Sequence, residues 1–349
     1  MPKLKRLTAF LLTVVLLFSL ASCSKEEEVP SATAELFAMD TYMTITCYGE
    51  QAEEAAAAAK EEIQRLDSLL SVGNSESEIA ELNETGTATL SEDSIAMVSK
   101  ALEVYEKTEG AFDITIYPLM VEWGFTTQEF QVPEQSRIDE LLSQMGSDKL
   151  TFDEQTGEIT LGTGQGIDLG GIAKGYASDR LMQIFKAYDL DAGLVSLGGN
   201  VQTYKTNTDG SKWRCGVTNP TDPDGDNYLG VLHLEDQAAV TSGAYQRNFT
   251  DEKTGKTYHH IIDPSTGYSA NNGLISVTVI SPSGILADAL STSFYVMGLD
   301  DTIAYWQQYG EEDQFELVLM TEDNTVYVTA GIADDFDANE EYTVETIEK

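Results

Sequence analysis

Apolar residues recur along this chain in two rhythms, and each predicts an element. Leu36 to Tyr48 contains the alternating run Met43-Thr44-Ile45-Thr46-Cys47-Tyr48 and predicts a strand. Ala52 to Leu70, rich in Ala and Glu, sets Ile63, Leu66 and Leu70 on one face and predicts a helix. Ser71 to Asn83 is polar and broken, a surface loop with a short helical piece. Ser91 caps the next helix, with Ile95, Val98, Leu102 and Tyr105 inward. Pro133 opens another, through Met145, and Leu150 to Leu161 reads as a hairpin turning at Glu154-Gln155-Thr156-Gly157. Further on, Gly193 to Tyr204 reads as one strand interrupted by Gly198-Gly199-Asn200. Trp213 to Thr218, Tyr228 to Leu234 and Ala238 to Ser242 read as strands, and Leu274 to Ile280 alternates as another. Gly284 to Met297 is an apolar helix capped by Ser281 or Ser283, and Asp301 to Tyr309 is a short one. Phe315 to Met320 and Thr325 to Thr329 pair as a hairpin. No internal repeat and no second linker interrupts the series. Helices mixed with short strands argue for an α+β fold in one compact unit of one or two lobes.

The chain centres on Ile167-Asp168-Leu169-Gly170-Gly171-Ile172-Ala173-Lys174-Gly175-Tyr176. An extended apolar run, Glu158 to Ile167, feeds a tight Gly170-Gly171 turn. A helix follows, with Ile172, Tyr176, Leu181, Ile184 and Phe185 near an i, i+3/i+4 rhythm. Glycine lets a backbone approach a ligand closely, and the free N–H groups of a helix start suit an anion. The same glycines also suit a plain packing turn. The stretch is no Walker A loop, since no Gly-Lys-Ser/Thr is present. It is no clean dinucleotide fingerprint either, since Leu169 stands where the third glycine belongs.

Two features change this picture. Residues 1–22 place Lys3, Lys5 and Arg6 before the apolar run Leu7 to Leu20, and Leu20-Ala21-Ser22-Cys23 follows. That is a signal peptide with a lipobox, which predicts a lipid at Cys23, attachment to the cell membrane and an extracytoplasmic location. Residues 23–35 then read as a tether and 36–349 as a single domain. The second feature is charge. The formal net charge is −39, and Lys3, Lys5 and Arg6 are the only charged residues of the leader, so its removal leaves −42. Such a surface repels nucleic acid and anionic lipid. An anionic ligand therefore needs a local remedy: a metal ion, a helix N-terminus or a placed cation. After Cys23 only Cys47 and Cys215 remain, which permits one disulfide at most, and three histidines argue against a zinc site built on several.

Candidate chemistry is concentrated in a few places. In Ala287-Asp288-Ala289-Leu290-Ser291-Thr292, the Asp288 and Thr292 oxygens stand at i and i+4, on one helix face among apolar neighbours. A carboxylate in such company calls for a partner or a cation, and a hard ion such as Mg²⁺ takes carboxylate, hydroxyl, carbonyl and phosphate oxygens. His259 and His260 end a strand and point to opposite faces, so one of them at most serves any given site, as a general base or as a structural group. Lys174 and Arg247 are candidate phosphate partners, and Asp113 either meets a ligand or holds a turn.

Seven segments occur in an order that resembles one family. They are Met39-Asp40-Thr41, Gly110-Ala111-Phe112-Asp113, the Asp168 to Asp179 block, Ser196-Leu197-Gly198-Gly199-Asn200, Thr241-Ser242-Gly243, His260-Ile261-Ile262-Asp263-Pro264-x-Thr266-Gly267 and Ala287 to Thr292. Together they resemble the FAD:protein FMN transferases, the flavin-transferring lipoproteins called ApbE. The resemblance implies a T-fold-like α+β enzyme of mixed helices and antiparallel sheet, which moves FMN from FAD onto a Thr or Ser hydroxyl of a partner protein and releases AMP. It assigns Mg²⁺ to the Gly171 carbonyl, Asp288 and Thr292. It assigns flavin contacts to Met39, Ala111, Phe112, Asp113, Asp168, Lys174 and Ile262, and the base to His260. Asp288, through the metal, and His260 are the catalytic pair. The acceptor it implies is a flavin-carrying subunit of a membrane redox complex or an extracellular flavoprotein. Two other readings compete: a Mg²⁺-dependent FAD pyrophosphatase giving FMN and AMP, which uses the same residues with water as acceptor, and a flavin-binding lipoprotein without catalysis, which has no need of Asp288, Thr292 and His260 together.

Overall fold

The computed structural model describes residues 29–223, 225 and 227–349. The leader, Cys23 and the first part of the tether lie outside them. Strands β1 (Ser31–Ala38) and β2 (Thr41–Tyr48) form a hairpin, so the tether expected to run to residue 35 already becomes sheet at Ser31. Helices α1 (Ala52–Leu70) and α2 (Glu78–Thr85), strand β3 (Thr87–Thr89) and helix α3 (Glu92–Lys107) follow. Helices α4 (Tyr117–Glu122) and α5 (Gln135–Gln144) precede the short strands β4 (Thr151–Phe152) and β5 (Glu158–Thr160) and helix α6 (Ala173–Ala187). Next come β6 (Ala192–Leu197), β7 (Asn200–Tyr204), β8 (Trp213–Thr218), β9 (Tyr228–Leu234), β10 (Ala238–Ser242), β11 (Asn248–Thr250) and β12 (Thr257–His259). The chain closes with β13 (Leu274–Ser281), α7 (Gly284–Met297), α8 (Leu299–Tyr309), β14 (Glu316–Thr321), β15 (Thr325–Thr329), β16 (Phe336–Ala338) and β17 (Thr343–Ile347).

A nine-stranded sheet in the order β1-β2-β6-β7-β10-β13-β14-β15-β17 is the spine of the molecule. Its pairs are antiparallel except β15 with β17. One face carries α1, α6 and α7 over the main core, where Met43, Ile45, Ile63, Leu66, Val195, Val277 and Phe294 are buried. On the other face the small sheet β16-β9-β8 covers Ala239, Ile280, Val318 and Met320 with Trp213, Leu232 and Leu234. A third, aromatic cluster joins α4 and α5 to the β11–β12 hairpin. There Trp123 donates to the Gly267 carbonyl at 2.9 Å and stacks within 4.9 Å of Tyr258. This is the expected α+β arrangement of helices and largely antiparallel sheet.

Several expectations are corrected. Gly193 to Tyr204 is a hairpin rather than one strand, because Gly198 and Gly199 take φ of 60° and 96°, which reverses the chain in two residues. The run from Glu158 to Ile167 is strand only to Thr160; Asn83 holds the rest, giving its amide to the Ile167 carbonyl at 2.8 Å and accepting the Ile167 N–H at 2.7 Å. On α3 the buried face is Met97, Val98, Ala101 and Val104, with Ile95, Leu102 and Tyr105 at its margin. Strands β3, β11, β16 and β17 were not foreseen. Cys47 and Cys215 are both free and buried.

Candidate active site

Helices α6 and α7 cross so closely that no side chain fits between them. A Cβ built on Gly175 would lie 2.1 Å from the Gly284 carbonyl oxygen, and one on Gly284 would lie 2.4 Å from Ser178 Oγ. Asp179 of α6 locks the crossing. Its carboxylate accepts the Gly284 N–H at 2.7 Å, the Ile285 N–H at 3.0 Å and the Gln202 amide at 3.0 Å, so it caps the positive end of α7 across the interface. Burial pushes the Asp179 carboxyl up, and the three bonds work against that. Ser283, rather than Ser281, adds the local cap through its hydroxyl and the Leu286 N–H at 3.5 Å.

This crossing sets Asp288 against the start of α6. The Asp288 side chain is 4% exposed and accepts the Gly175 N–H at 2.8 Å through Oδ2. Its other oxygen lies 4.0 Å from Lys174 Nζ. Thr292, one turn on, approaches the Gly171 backbone: a Cβ on Gly171 would stand 3.8 Å from Thr292 Oγ1 and 3.0 Å from the Phe112 ring. Asp288 and Thr292, one turn apart on α7, thus both face the start of α6, Asp288 at Gly175 and Thr292 at Gly171. Their donors are all oxygen, with a single carboxylate, which fits a hard cation that shares its shell with phosphate. Among the described residues no group of three or more His, Cys, Asp or Glu side chains could hold a metal by itself.

Of the two roles open to the helix start, anion site or packing turn, its hydrogen bonds favour the packing turn. The Gly170 N–H goes to Asp168 Oδ1 at 2.7 Å, the Ile172 and Ala173 N–H groups go to the Leu169 carbonyl, and the Gly175 N–H goes to Asp288. Side chains add positive charge here. Lys174 and Arg247 supply it: both charges reach Asp168 and His260. Burial raises the Asp168 carboxyl above its ordinary range, and the Gly170 N–H, Arg247 and Lys174 draw it back down.

The two histidines separate as their strand position requires. His259 is buried, lies edge-on to Tyr295 with ring centres 5.6 Å apart, and pairs its Nε2 with the Ala270 carbonyl at 2.9 Å. His260 is half-buried on the site side. Its Nδ1 and its backbone N–H meet the Arg247 carbonyl at 3.2 and 3.1 Å. A carbonyl only accepts, so Nδ1 carries the proton and Nε2 keeps its lone pair. Burial, aided by the Arg247 charge, lowers the His260 pKa to about 3. The imidazole is therefore neutral at pH 7 and free to accept a proton.

The remaining candidates take different places. Met39 and Asp40 form the β1–β2 turn with φ of 48° and 60°, and the Met39 N–H is held by Asp67 Oδ1 at 2.9 Å. Asp40 Oδ2 lies 3.9 Å from Arg247, which puts this turn at the rim of the site. Ala111 and Phe112 lead into Asp113, whose Oδ1 accepts from the Thr115 N–H at 2.8 Å and from the Thr115 and Ser147 hydroxyls at 2.7 Å each. Oδ1 of Asp113 thus holds a turn. The Ile262 side chain is buried in the aromatic cluster. Asn83, Asp179 and Gly175 position the site yet were not singled out. Asp179 and Gly175 lay inside the recognised block, whereas Asn83 carries no local signal.

A model of the ApbE family matches residues 39–318. The chain is 32% identical over 272 residues to the FAD:protein FMN transferase of Escherichia coli K12, covering 74% of this chain and 76% of that one. It is 26% identical over 341 residues to the Haemophilus influenzae protein of the same name, covering 93% and 96%. The crystal structure of the ApbE protein from Thermotoga maritima superposes with a TM-score of 0.77 at 31% identity, over 89% of this chain and 98% of that one. The Vibrio cholerae flavin transferase ApbE shares the fold, with a TM-score of 0.75 at 24% identity, over 88% and 100%.

Proposed function

The chain belongs to the ApbE family and is an FAD:protein FMN transferase, and on that premise we propose a Mg²⁺-dependent transfer of FMN onto a Thr or Ser hydroxyl, with release of AMP. The observation that carries the reading is the meeting of two half-sites. One cation is shared by both: Lys174 lies 4.0 Å from Asp288, on the side of Gly171 and Thr292, and its charge is felt at the neutral His260.

The Gly171 carbonyl, Asp288 and Thr292 would hold Mg²⁺, whose chemistry there is to neutralise the pyrophosphate and ease departure of AMP. Lys174 and Arg247 draw the dianion into a protein of net charge −39 that otherwise repels it. His260 Nε2 takes the proton as the acceptor oxygen attacks the FMN-side phosphorus. The new P–O bond forms as the bond to the bridging oxygen breaks, and AMP carries away the electron pair. Placement and electrostatics dominate such a transfer. Met39, Ala111, Phe112 and Asp168 line the approach for the flavin, with the backbone at Ile262 beside His260.

The acceptor is a flavoprotein outside the cytoplasm, such as a subunit of a membrane redox complex, and the enzyme is anchored at Cys23 on the same side of the membrane. A leader ending in a lipobox supports this, and Cys23→Ala should move the protein from the membrane fraction to the soluble one. The chemical test incubates the protein with FAD, with and without Mg²⁺ and a Thr-bearing acceptor subunit, following AMP and acceptor mass. The expected result is one AMP for each FMN added, lost on chelation. AMP without an adduct would make the protein a pyrophosphatase, and transfer undiminished by EDTA would remove the metal from the scheme.

A further inference from the structure

Arg247 is anchored at one end of its guanidinium and open at the other. Its Nη2 donates to the Phe125 carbonyl, and its backbone carbonyl holds His260 Nδ1 at 3.2 Å. Its Nη1 faces Asp40 Oδ2 at 3.9 Å. That distance makes an ion pair but is too long for a hydrogen bond, so Nη1 has no hydrogen-bond acceptor among the described residues. The Asp40 side chain is 73% exposed and that of Arg247 38%, and a pair so wet is weak and readily exchanged.

The backbone fixes where the Asp40 carboxylate stands. Asp67 holds the Met39 N–H at 2.9 Å, and Thr41 lies against the β6–β7 turn, where a Cβ on Gly198 would meet Thr41 Oγ1 at 2.2 Å. The turn asks residue 40 only for its positive φ of 60°, which glycine supplies without strain. The carboxylate is therefore surplus to the fold. Its charge is nevertheless felt within the site: after burial, Asp40 is the influence that pushes the Asp168 carboxyl up, against the pull of Arg247 and Lys174.

We propose that Asp40 is a counter-ion displaced by substrate: it occupies the open side of Arg247 in the empty enzyme, the FAD pyrophosphate takes that place on binding, and Asp40 thereby sets how tightly phosphate-bearing flavins are held. The inference rests on the reading of Arg247 as a phosphate partner. A phosphate oxygen that accepts from Nη1 makes a charge-assisted hydrogen bond, which the 3.9 Å pair does not, and this gives the exchange its direction. The reverse exchange helps the phosphate leave. A flavin without phosphate makes no claim on Arg247 and is indifferent to Asp40.

The test reads binding rather than turnover. Dissociation constants for FAD and for riboflavin are measured by flavin fluorescence, without an acceptor protein, on the parent, Asp40→Asn and Asp40→Gly, and on each of these with Arg247→Gln added. Asparagine and glycine both suit a φ of 60°. Each Asp40 variant should bind FAD about two- to fivefold more tightly, with riboflavin affinity and thermal midpoint as in the parent. With Arg247→Gln present the gain should vanish. Unchanged FAD affinity in both Asp40 variants overturns the exchange. So does an equal gain in the Arg247→Gln background, which would assign the effect to general repulsion, or an equal gain for riboflavin, which would assign it to the shape of the turn. Arg247→Gln alone binding FAD as tightly as the parent would instead remove Arg247 from the phosphate site, and this proposal with it.

Discussion

The site is made by two regions built in opposite ways. On one side, α6 and α7 touch backbone to backbone at Gly175 and Gly284, and Asp288 and Thr292 sit on regular helix, Asp288 fixed by the Gly175 N–H. On the other, His260 follows a three-residue strand, β12, that is steadied by a cluster of rings around Trp123, Phe249 and Tyr258. The first region has no slack, since a single added carbon would meet a carbonyl. The second is held by side-chain packing, which repacks more readily than backbone contact. In the proposed scheme, metal and pyrophosphate geometry would depend on main chain, and proton transfer on the packing of the aromatic cluster.

Trp123→Ala is the largest blow to the second region. The indole is fully buried, and its loss should destabilise the protein by about 3–5 kcal/mol, measured by urea unfolding. At temperatures where the variant remains folded, transfer should fall while FAD affinity holds. An equal loss of FAD affinity would break the comparison, since the two regions would then be one. Asp288→Ala attacks the first region and should lower AMP release roughly 10³-fold, or about 4 kcal/mol, without weakening the aromatic lobe in hydrogen exchange.

His260→Ala should slow transfer about 10²-fold, leave FAD bound, and leave any metal-dependent FAD binding as it was. The pH profile sharpens this. Because burial lowers the His260 pKa to about 3, the base is already neutral at pH 5. The His260 contribution to kcat/KM should stay level as pH falls from 8 to 5, and a midpoint near 6.5 would contradict the buried geometry. Stability moves the other way. The folded state refuses a proton that the unfolded state binds below about 6.5. Stability from this group is therefore whole above that pH and is lost as pH falls toward 3, a loss His260→Asn should abolish. The smallest effect belongs to Gly171→Ala. Its Cβ would lie 3.0 Å from the Phe112 ring, so the ring must give by a few tenths of an ångström, at about 1 kcal/mol. A rise in FAD KM should follow, and no change would show that the ring yields freely.

Much of this was legible in the residues. The i, i+4 spacing of Asp288 and Thr292, the opposed faces of His259 and His260, and the buried stripe of α1 are local periodicities, and the fold kept them. The misreadings and the open choices share a cause. Glu158 to Ile167 reads as one extended run because apolar residues are counted along the chain, whereas it is strand only to Thr160 and its end, Ile167, is held by Asn83 from 84 residues away. At the helix start, where an anion site and a packing turn were both open, Asp168, Leu169 and Asp288 accept the Gly170, Ile172, Ala173 and Gly175 N–H groups.

By itself the sequence determined which residue types carry the chemistry, the periodicity that puts them on helix or strand, and the ordered segments that mark the family. Those properties depend on neighbours a few positions apart. Only the tertiary structure decided which of them meet. Gly175 matters because Gly284 lies against it; the His260 proton is on Nδ1 because the Arg247 carbonyl faces it; and Asp113 is spent on Thr115 and Ser147. Each is a contact between groups whose separation along the chain says nothing of their distance in space. The partner that uses up a donor or fixes a tautomer is therefore visible only once the chain has folded.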